Sequence, residues 1–283
     1  MTDANRNLFL RVLSALVLLP AVLYLAWLGG VPFAALIGFA TAVSANEVNG
    51  LPWAPRAQGA KPAPGRSLSL SLVASVVVAG LLPLIEEIPQ AHLTAAGLIA
   101  ALVIVSLFDA LFFELDIQQV PQRVGLAVLG AAWPGLLLAA LVRLRKLPHG
   151  AGWILLALTV TWANDTGGYF AGRFLGKHKL FPRVSPKKTW EGFAGGMAAS
   201  IGGALVVQAF FIPELSWWGA VIIGAGAGLL GPLGDLSESM LKRAFGAKDS
   251  GRLLPGHGGM LDRIDALFFN APYVLLCSGL LTT

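Results

Sequence analysis

Nine stretches of this chain run for about twenty residues with scarcely a charge, roughly 8–28, 31–48, 67–84, 93–113, 124–143, 150–171, 192–212, 216–236 and 263–281. A run of about 18 or more apolar residues is long enough to cross the hydrocarbon of a bilayer as a helix. In lipid each backbone N–H and C=O must find its partner inside the protein, and an α-helix does this within a single segment. Composition agrees: 56% of the 283 residues are hydrophobic and only 12% are charged, about half the charged fraction of a soluble domain. The expected fold is an all-α polytopic membrane protein with about nine transmembrane helices. The first run, flanked by Arg6 and Arg11, is longer than the apolar region of a signal peptide and is followed by further spans, so it reads as an uncleaved anchor.

Orientation follows from the lysines and arginines. With nine spans, the N-terminus shares a side with the loops after the second, fourth, sixth and eighth spans. That side collects 17 basic residues, among them Arg56, Lys61, Arg66, Arg123 and two dense groups at 173–188 and 242–263, against Arg143, Arg145 and Lys146 on the other. The positive-inside rule places the first side in the cytoplasm and the C-terminus opposite. The net charge of +5 is therefore a consequence of topology, and nucleic acid is not an expected partner. The segment 49–66, NGLPWAPRAQGAKPAPGR, reads as a flexible loop without chemistry. Residues 1–148 are expected to form an N-terminal region of about five spans. Residues 149–283 would form a catalytic region of about four, with loops 172–191 and 237–262. Neither loop is long enough to fold alone, so an active site must be built at the cytoplasmic membrane face from the ends of the C-terminal helices. Compact loops favour a bacterial cytoplasmic (inner) membrane.

Several pattern matches carry nothing. GAGLLG at 226–231 has the glycine spacing of a dinucleotide loop but lies inside an apolar helix, without the preceding strand that such a loop needs. Gly224 and Gly228, like Gly192 and Gly196, have the small-xxx-small spacing of close-packed membrane helices. GRFLGKH at 172–178 lacks both the spacing and the hydroxyl of a phosphate loop. Cys277, the lone cysteine, reads as an apolar filler.

The carboxylates are different. Asp109, Asp165 in TWANDTGGYF, Asp235 in GPLGDLSESMLKR, and Asp262 with Asp265 all fall toward the cytoplasmic ends of their spans. An ionised group in the membrane needs a partner, water or a cation, and any one of these could be a helix cap, as Asp262 could be for the last span. Together they point to a site. Asp262 and Asp265 are spaced i, i+3 and share a helix face, and Asp235 can join them if the eighth and ninth spans are neighbours. Carboxylates at helix ends suit hard cations such as Mg2+, which bind through one or two carboxylates plus substrate phosphates. Phosphate donors lie close in sequence: Lys242, Arg243, Lys248, Arg252 and Arg263, and SPKKT, which supplies Ser185, Lys187, Lys188 and Thr189. PGHGG at 255–259 can bring backbone N–H groups, those of Gly258 and Gly259 included, to an anion. His257 between them can contact phosphate or merely shape the loop. Carboxylates with cation-binding chemistry beside a basic, glycine-rich cradle imply phosphoryl or nucleotidyl transfer.

At these residues a resemblance emerges. SMLKRAFGAKDSGRLLPGHGGMLDRID, Ser239 to Asp265, resembles the signature of the phosphatidate cytidylyltransferases, or CDP-diacylglycerol synthases, with Lys-Arg, Lys-Asp, His-Gly-Gly and Asp-Arg-x-Asp in place. NDTGGYFAGRFLGKHKLFPRVSPKKTWEG, Asn164 to Gly192, is similar to a second block of that family. The resemblance covers the C-terminal 120 or so residues; the first five spans match in hydropathy only, and Glu47 is left outside the site because its neighbours differ. The resemblance implies that CTP and phosphatidic acid give CDP-diacylglycerol and pyrophosphate, with Mg2+ required and room for a second, monovalent cation such as K+. It makes Asp235 and Asp262 the metal ligands, supported by Asp265 and Asp249. Ser185, Lys187, Lys188, Lys248 and His257 would hold phosphates and Asp165 would line the polar cavity. It also implies a homodimer in the lipid bilayer.

Rival readings are a membrane cytidylyltransferase or CTP-dependent kinase acting on an ether or prenyl lipid, and an ion-coupled transporter. A transporter would place its charges near the bilayer midplane, flanked by broken helices in both halves. CDP-alcohol phosphotransferases open their motif with Asp-Gly, a dipeptide absent here.

Overall fold

The computed structural model describes residues 19–53, 69–113, 117–251 and 258–281. His257 and Arg252 lie outside the described residues, as do the first half of the first expected span and most of the 49–66 loop. The described chain is helical almost throughout: α1 (Leu19–Leu28), α2 (Gly30–Gly50), α3 (Leu70–Leu84), α4 (Ala91–Phe113), α5 (Val120–Lys146), α6 (Gly150–Phe174), α7 (Trp190–Phe211), α8 (Trp217–Ala244) and α9 (Leu261–Leu281). One two-stranded antiparallel hairpin, β1 (Lys179–Phe181) and β2 (Ser185–Thr189), interrupts the series between α6 and α7. Among the described residues seven helices are long and apolar enough to cross a membrane, and α6 is not one of them. The second half of α6 carries Asn164 and Asp165, which line the cavity described below. The protein is an all-α polytopic membrane protein.

The chain divides into two compact units that are discontinuous in sequence. One comprises residues 1–142 with 244–263, the other 143–243 with 264–283. In the first unit α2 and α3 approach backbone to backbone: a Cβ at Gly38 would lie 2.6 Å from the Gly80 carbonyl oxygen. Small residues let helices meet this closely in lipid, where burial of apolar surface gives no drive for association. Asp109 of α4, 3% exposed, accepts from the amides of Leu70 and Ser71 at 3.2 Å each. It caps α3, whose first-turn N–H groups have no partner within their own helix.

In the second unit α6, α7 and α8 are similarly close. A Cβ at Gly196 would lie 2.8 Å from the Asn164 carbonyl oxygen, and one at Gly228 would lie 2.7 Å from the Cα of Met197. α8 and α9 meet in the same way, since a Cβ at Gly234 would lie 2.6 Å from the Asp265 carbonyl oxygen. α8 also extends well beyond position 236, where the apolar run ends. Lys242 and Arg243, expected in a loop, are in its last turn.

Two prolines inside these helices share one solution to one problem. Proline lacks the N–H that would bond to the carbonyl four residues earlier, and in lipid no water replaces it. Pro83 in α3 frees the Ala79 carbonyl, which accepts from Thr41 Oγ1 of α2 at 2.7 Å. Pro232 in α8 frees the Gly228 carbonyl, which accepts from Asn164 Nδ2 of α6 at 3.2 Å.

Candidate active site

The hairpin is fastened at its base by Glu191. Its carboxylate accepts from the amides of Lys177 (3.1 Å) and His178 (3.3 Å), and Oε1 lies 2.6 Å from His178 Nδ1. Thr189 ends β2 and caps α7, its Oγ1 accepting from Gly192 N at 3.1 Å. A threonine at this position satisfies an amide that the first turn of the helix leaves open. These local bonds fix the strand that carries Lys187 and Lys188.

Next to that strand is a cavity of about 490 Å3 within the second unit, a size suited to a small-molecule ligand. α6 lines it with Asn164, Asp165, Tyr169 and Arg173, β2 with Lys187, Lys188 and Thr189, and α8 with Pro232 and Asp235. Lys188 Nζ lies 2.7 Å from Asp235 Oδ2 and donates to the Pro232 carbonyl at 3.4 Å. Asp235 also receives Ser239 Oγ at 3.3 Å. One oxygen each from Asp235, Glu238 and Asp265 lie within 4.8 Å of one another. Three hard oxygen donors this close repel one another unless a cation or protons intervene, and their chemistry fits a divalent metal.

The structure thus brings together Asp165, Asp235, Lys187, Lys188 and Thr189 around one cavity, with Asp265 beside Asp235. Ser185, also on β2, is half-buried. Lys242 is buried, and its ammonium pairs with Glu238 Oε2 at 2.9 Å; it is not part of the cavity lining. Arg243 is exposed at the end of α8.

The remaining expected residues belong to the first unit. Lys248 and Asp249 are exposed, as is Arg263 in the first turn of α9. Asp262 Oδ2 accepts from Ser250 N (3.2 Å), Ser250 Oγ (2.9 Å) and Gly259 N (3.1 Å). The amide of Gly259 is therefore given to the protein's own carboxylate. Gly258 has φ +85°, a conformation that glycine adopts without strain.

Glu47 joins the same network from more than 200 positions upstream. Its carboxylate, 6% exposed on α2, accepts from Ser250 Oγ (3.1 Å), Met260 N (2.9 Å) and Leu261 N (2.8 Å). A Cβ at Gly259 would collide with Ser250 Oγ and lie 2.6 Å from Glu47 Oε2. Only glycine fits between that hydroxyl and that carboxylate. Sequence reasoning left Glu47 out and passed over Glu238 and Asn164. Glu238 had a signal, standing i, i+3 from Asp235.

Comparison with known proteins agrees with this chemistry. The model of the Cytidylyltransferase family matches residues 9–281. A phosphatidate cytidylyltransferase of Brucella suis is 36% identical over 277 residues, which is 95% of this chain and 93% of the relative. A phosphatidate cytidylyltransferase of Staphylococcus epidermidis is 50% identical over 124 residues, 44% of this chain and 48% of the relative. The basic cavity, its carboxylates and the match along nearly the whole chain have one explanation: this protein is a nucleotidyltransferase of the cytidylyltransferase family.

Proposed function

We propose that the protein is a CTP:phosphatidate cytidylyltransferase of the inner membrane. An oxygen of the phosphatidic acid phosphate attacks the α-phosphorus of CTP, the bond from that phosphorus to the β-phosphate oxygen breaks, and pyrophosphate carries away the electron pair. CDP-diacylglycerol stays in the bilayer. The lipid phosphate is already an anion at neutral pH, so no general base is required. The observation that carries the reading is the Lys188–Asp235 contact of 2.7 Å inside a cavity that also holds Lys187, Arg173 and Asp165. The relatives in Brucella suis and Staphylococcus epidermidis, both phosphatidate cytidylyltransferases, support the choice of lipid.

Each residue then has a task. Lys187, Lys188 and Arg173 offset phosphate charge as the leaving group departs, the kind of electrostatic stabilisation that dominates transfer chemistry of this type. Asp235, with Glu238 and Asp265 beside it, would hold Mg2+; the sequence resemblance adds Asp262, with Asp249 in support. Mg2+ held there would supply positive charge against that of the phosphates. The sequence resemblance also gives phosphate binding to Lys248 and His257. The basic side, carrying these residues, faces the cytoplasm and its CTP, and the resemblance adds a homodimer.

The test is a substrate panel. Detergent-purified protein with Mg2+ and radiolabelled CTP should label phosphatidic acid, and should label prenyl phosphates and ether-lipid phosphates far less. Label moving preferentially to one of those other lipids would replace phosphatidic acid as the substrate.

A further inference from the structure

The cavity wall contributed by α8 is built around a proline, and the residue compensating for that proline comes from another helix. Pro232 deletes the helix bond to the Gly228 carbonyl, and Asn164 Nδ2 supplies the missing donor at 3.2 Å. Asn164 is 4% exposed, and its amide is turned from the cavity it borders toward the Gly228 carbonyl. One turn on, the same stretch of α8 presents two acceptors to Lys188: the Pro232 carbonyl at 3.4 Å and the Asp235 carboxylate at 2.7 Å. Asn164 itself is fixed from behind, because Gly196 of α7 lies against its backbone carbonyl, where a Cβ would come within 2.8 Å.

We propose that Asn164 is a positioning residue of the nucleotidyl site: its side-chain amide replaces the helix hydrogen bond that Pro232 deletes, and so holds the α8 turn that presents Pro232 O and Asp235 to Lys188. Without that donor the Gly228 carbonyl is unsatisfied in a buried setting. The cheapest repair is for α8 to shift toward another donor, and such a shift moves Asp235, three residues beyond the proline. The task of Asn164 is thus set by Pro232. If residue 232 had an N–H, Gly228 could be satisfied within α8 and the amide of Asn164 would lose its purpose. The pairing of Thr41 with the carbonyl freed by Pro83 shows the same device in the other unit. This inference rests on the nucleotidyl-transfer reading of the cavity.

The experiment is a double-mutant cycle on the full-length protein in detergent, with Asn164→Ala, Pro232→Ala and the pair. Cytidylyl transfer is read as kcat and KM for CTP, and thermal stability is read on the same samples. Asn164→Ala is expected to lower kcat by roughly 10- to 100-fold, the range for a reacting group displaced by about an ångström, with a smaller change in KM. In the Pro232→Ala background the same substitution should change kcat by less than about 3-fold, a coupling that contact pairs commonly show. An equal loss in both backgrounds would overturn the proposal, since Asn164 would then be acting directly on a ligand in the cavity. Unchanged kcat in the wild-type background would overturn it as well. Should Asn164→Ala fail to accumulate, the double variant decides: the proposal expects it to accumulate and match Pro232→Ala, and its absence would contradict that. If wild type transfers no cytidylyl group, the substrate reading fails separately. The melting temperatures of the four proteins then decide the coupling, with additive shifts counting against it.

Discussion

Lys188 Nζ and Asp235 Oδ2 are 2.7 Å apart, the first on a short β-strand and the second on α8, a helix long and apolar enough to cross a membrane. The contact joins a lysine of the cavity wall to the carboxylate group of Asp235, which stands beside Glu238 and Asp265. A lysine held by a carboxylate is positioned before substrate arrives, and its charge stays aimed into the cavity. Lys188→Ala should therefore lower kcat/KM for CTP by about 100- to 1,000-fold, the usual loss on removing one preorganised donor to a developing charge. Lys188→Arg should recover only part of it, because a planar guanidinium cannot reproduce a compact ammonium between two acceptors. Steady-state kinetics on the three proteins checks both statements.

The carboxylates should separate by metal dependence. Asp235→Asn and Glu238→Gln are expected to raise the Mg2+ concentration needed for half-maximal activity, because both sit in the trio whose oxygens lie within 4.8 Å of one another. Asp262→Asn tests the ligand role implied by the sequence resemblance. A raised Mg2+ requirement supports that role, whereas an unchanged requirement with lowered thermal stability assigns Asp262 to its bonds with Ser250 and Gly259.

Glu47 should matter to folding as well as to rate. Glu47→Ala removes the acceptor for Met260 N and Leu261 N, and leaving buried donors unsatisfied costs about 1–3 kcal/mol per group. A clear fall in melting temperature is expected, with activity lost in parallel. Gly259→Ala should behave similarly for a steric reason, since its methyl would meet both Ser250 Oγ and Glu47. Thermal unfolding of the solubilised proteins reads both.

Hydropathy made most of the fold legible, because a membrane leaves helices as the solution for long apolar runs and nine runs appear as nine helices among the described residues. It missed what hydropathy does not measure. α8 was expected to stop near 236, where charges begin, yet it continues to Ala244 with Glu238 and Lys242 paired one turn apart. Loss of apolarity marks where a lipid-facing surface ends, and that need not be where backbone hydrogen bonding ends. The hairpin before α7 was hidden because its strands are three and five residues long and are held by Glu191 and Thr189 rather than by an alternating apolar pattern.

The site was legible where chemistry clusters in sequence and obscure where it depends on a distant partner. Asp165, Asp235, Lys187 and Lys188 stand in charged, glycine-rich blocks and line one cavity. Glu47 is a single acid in an apolar helix, and its partners lie more than 200 residues away. The carbonyl freed by Pro232 can be found by counting back four residues, but its donor is on α6, and one sequence does not reveal which helix supplies it.

Thr41→Val offers a check on the proline device apart from turnover. It should destabilise the protein by about 0.6 to 2 kcal/mol, the range for hydrogen bonds between membrane helices, and by much less when Pro83 is alanine. Equal melting-temperature losses in the two backgrounds would show that Ala79 O does not depend on Thr41.

The measurement that reaches the central claim most directly is transfer from radiolabelled CTP to phosphatidic acid by purified wild type and Asp235→Asn, each titrated with Mg2+. Wild type should form CDP-diacylglycerol and pyrophosphate in a Mg2+-dependent way, and the variant should lose at least about 100-fold, as expected when a charge-stabilising group of the reaction is removed. Wild-type activity that is indifferent to Asp235, or protein that is folded and transfers no cytidylyl group to phosphatidic acid, would contradict the claim.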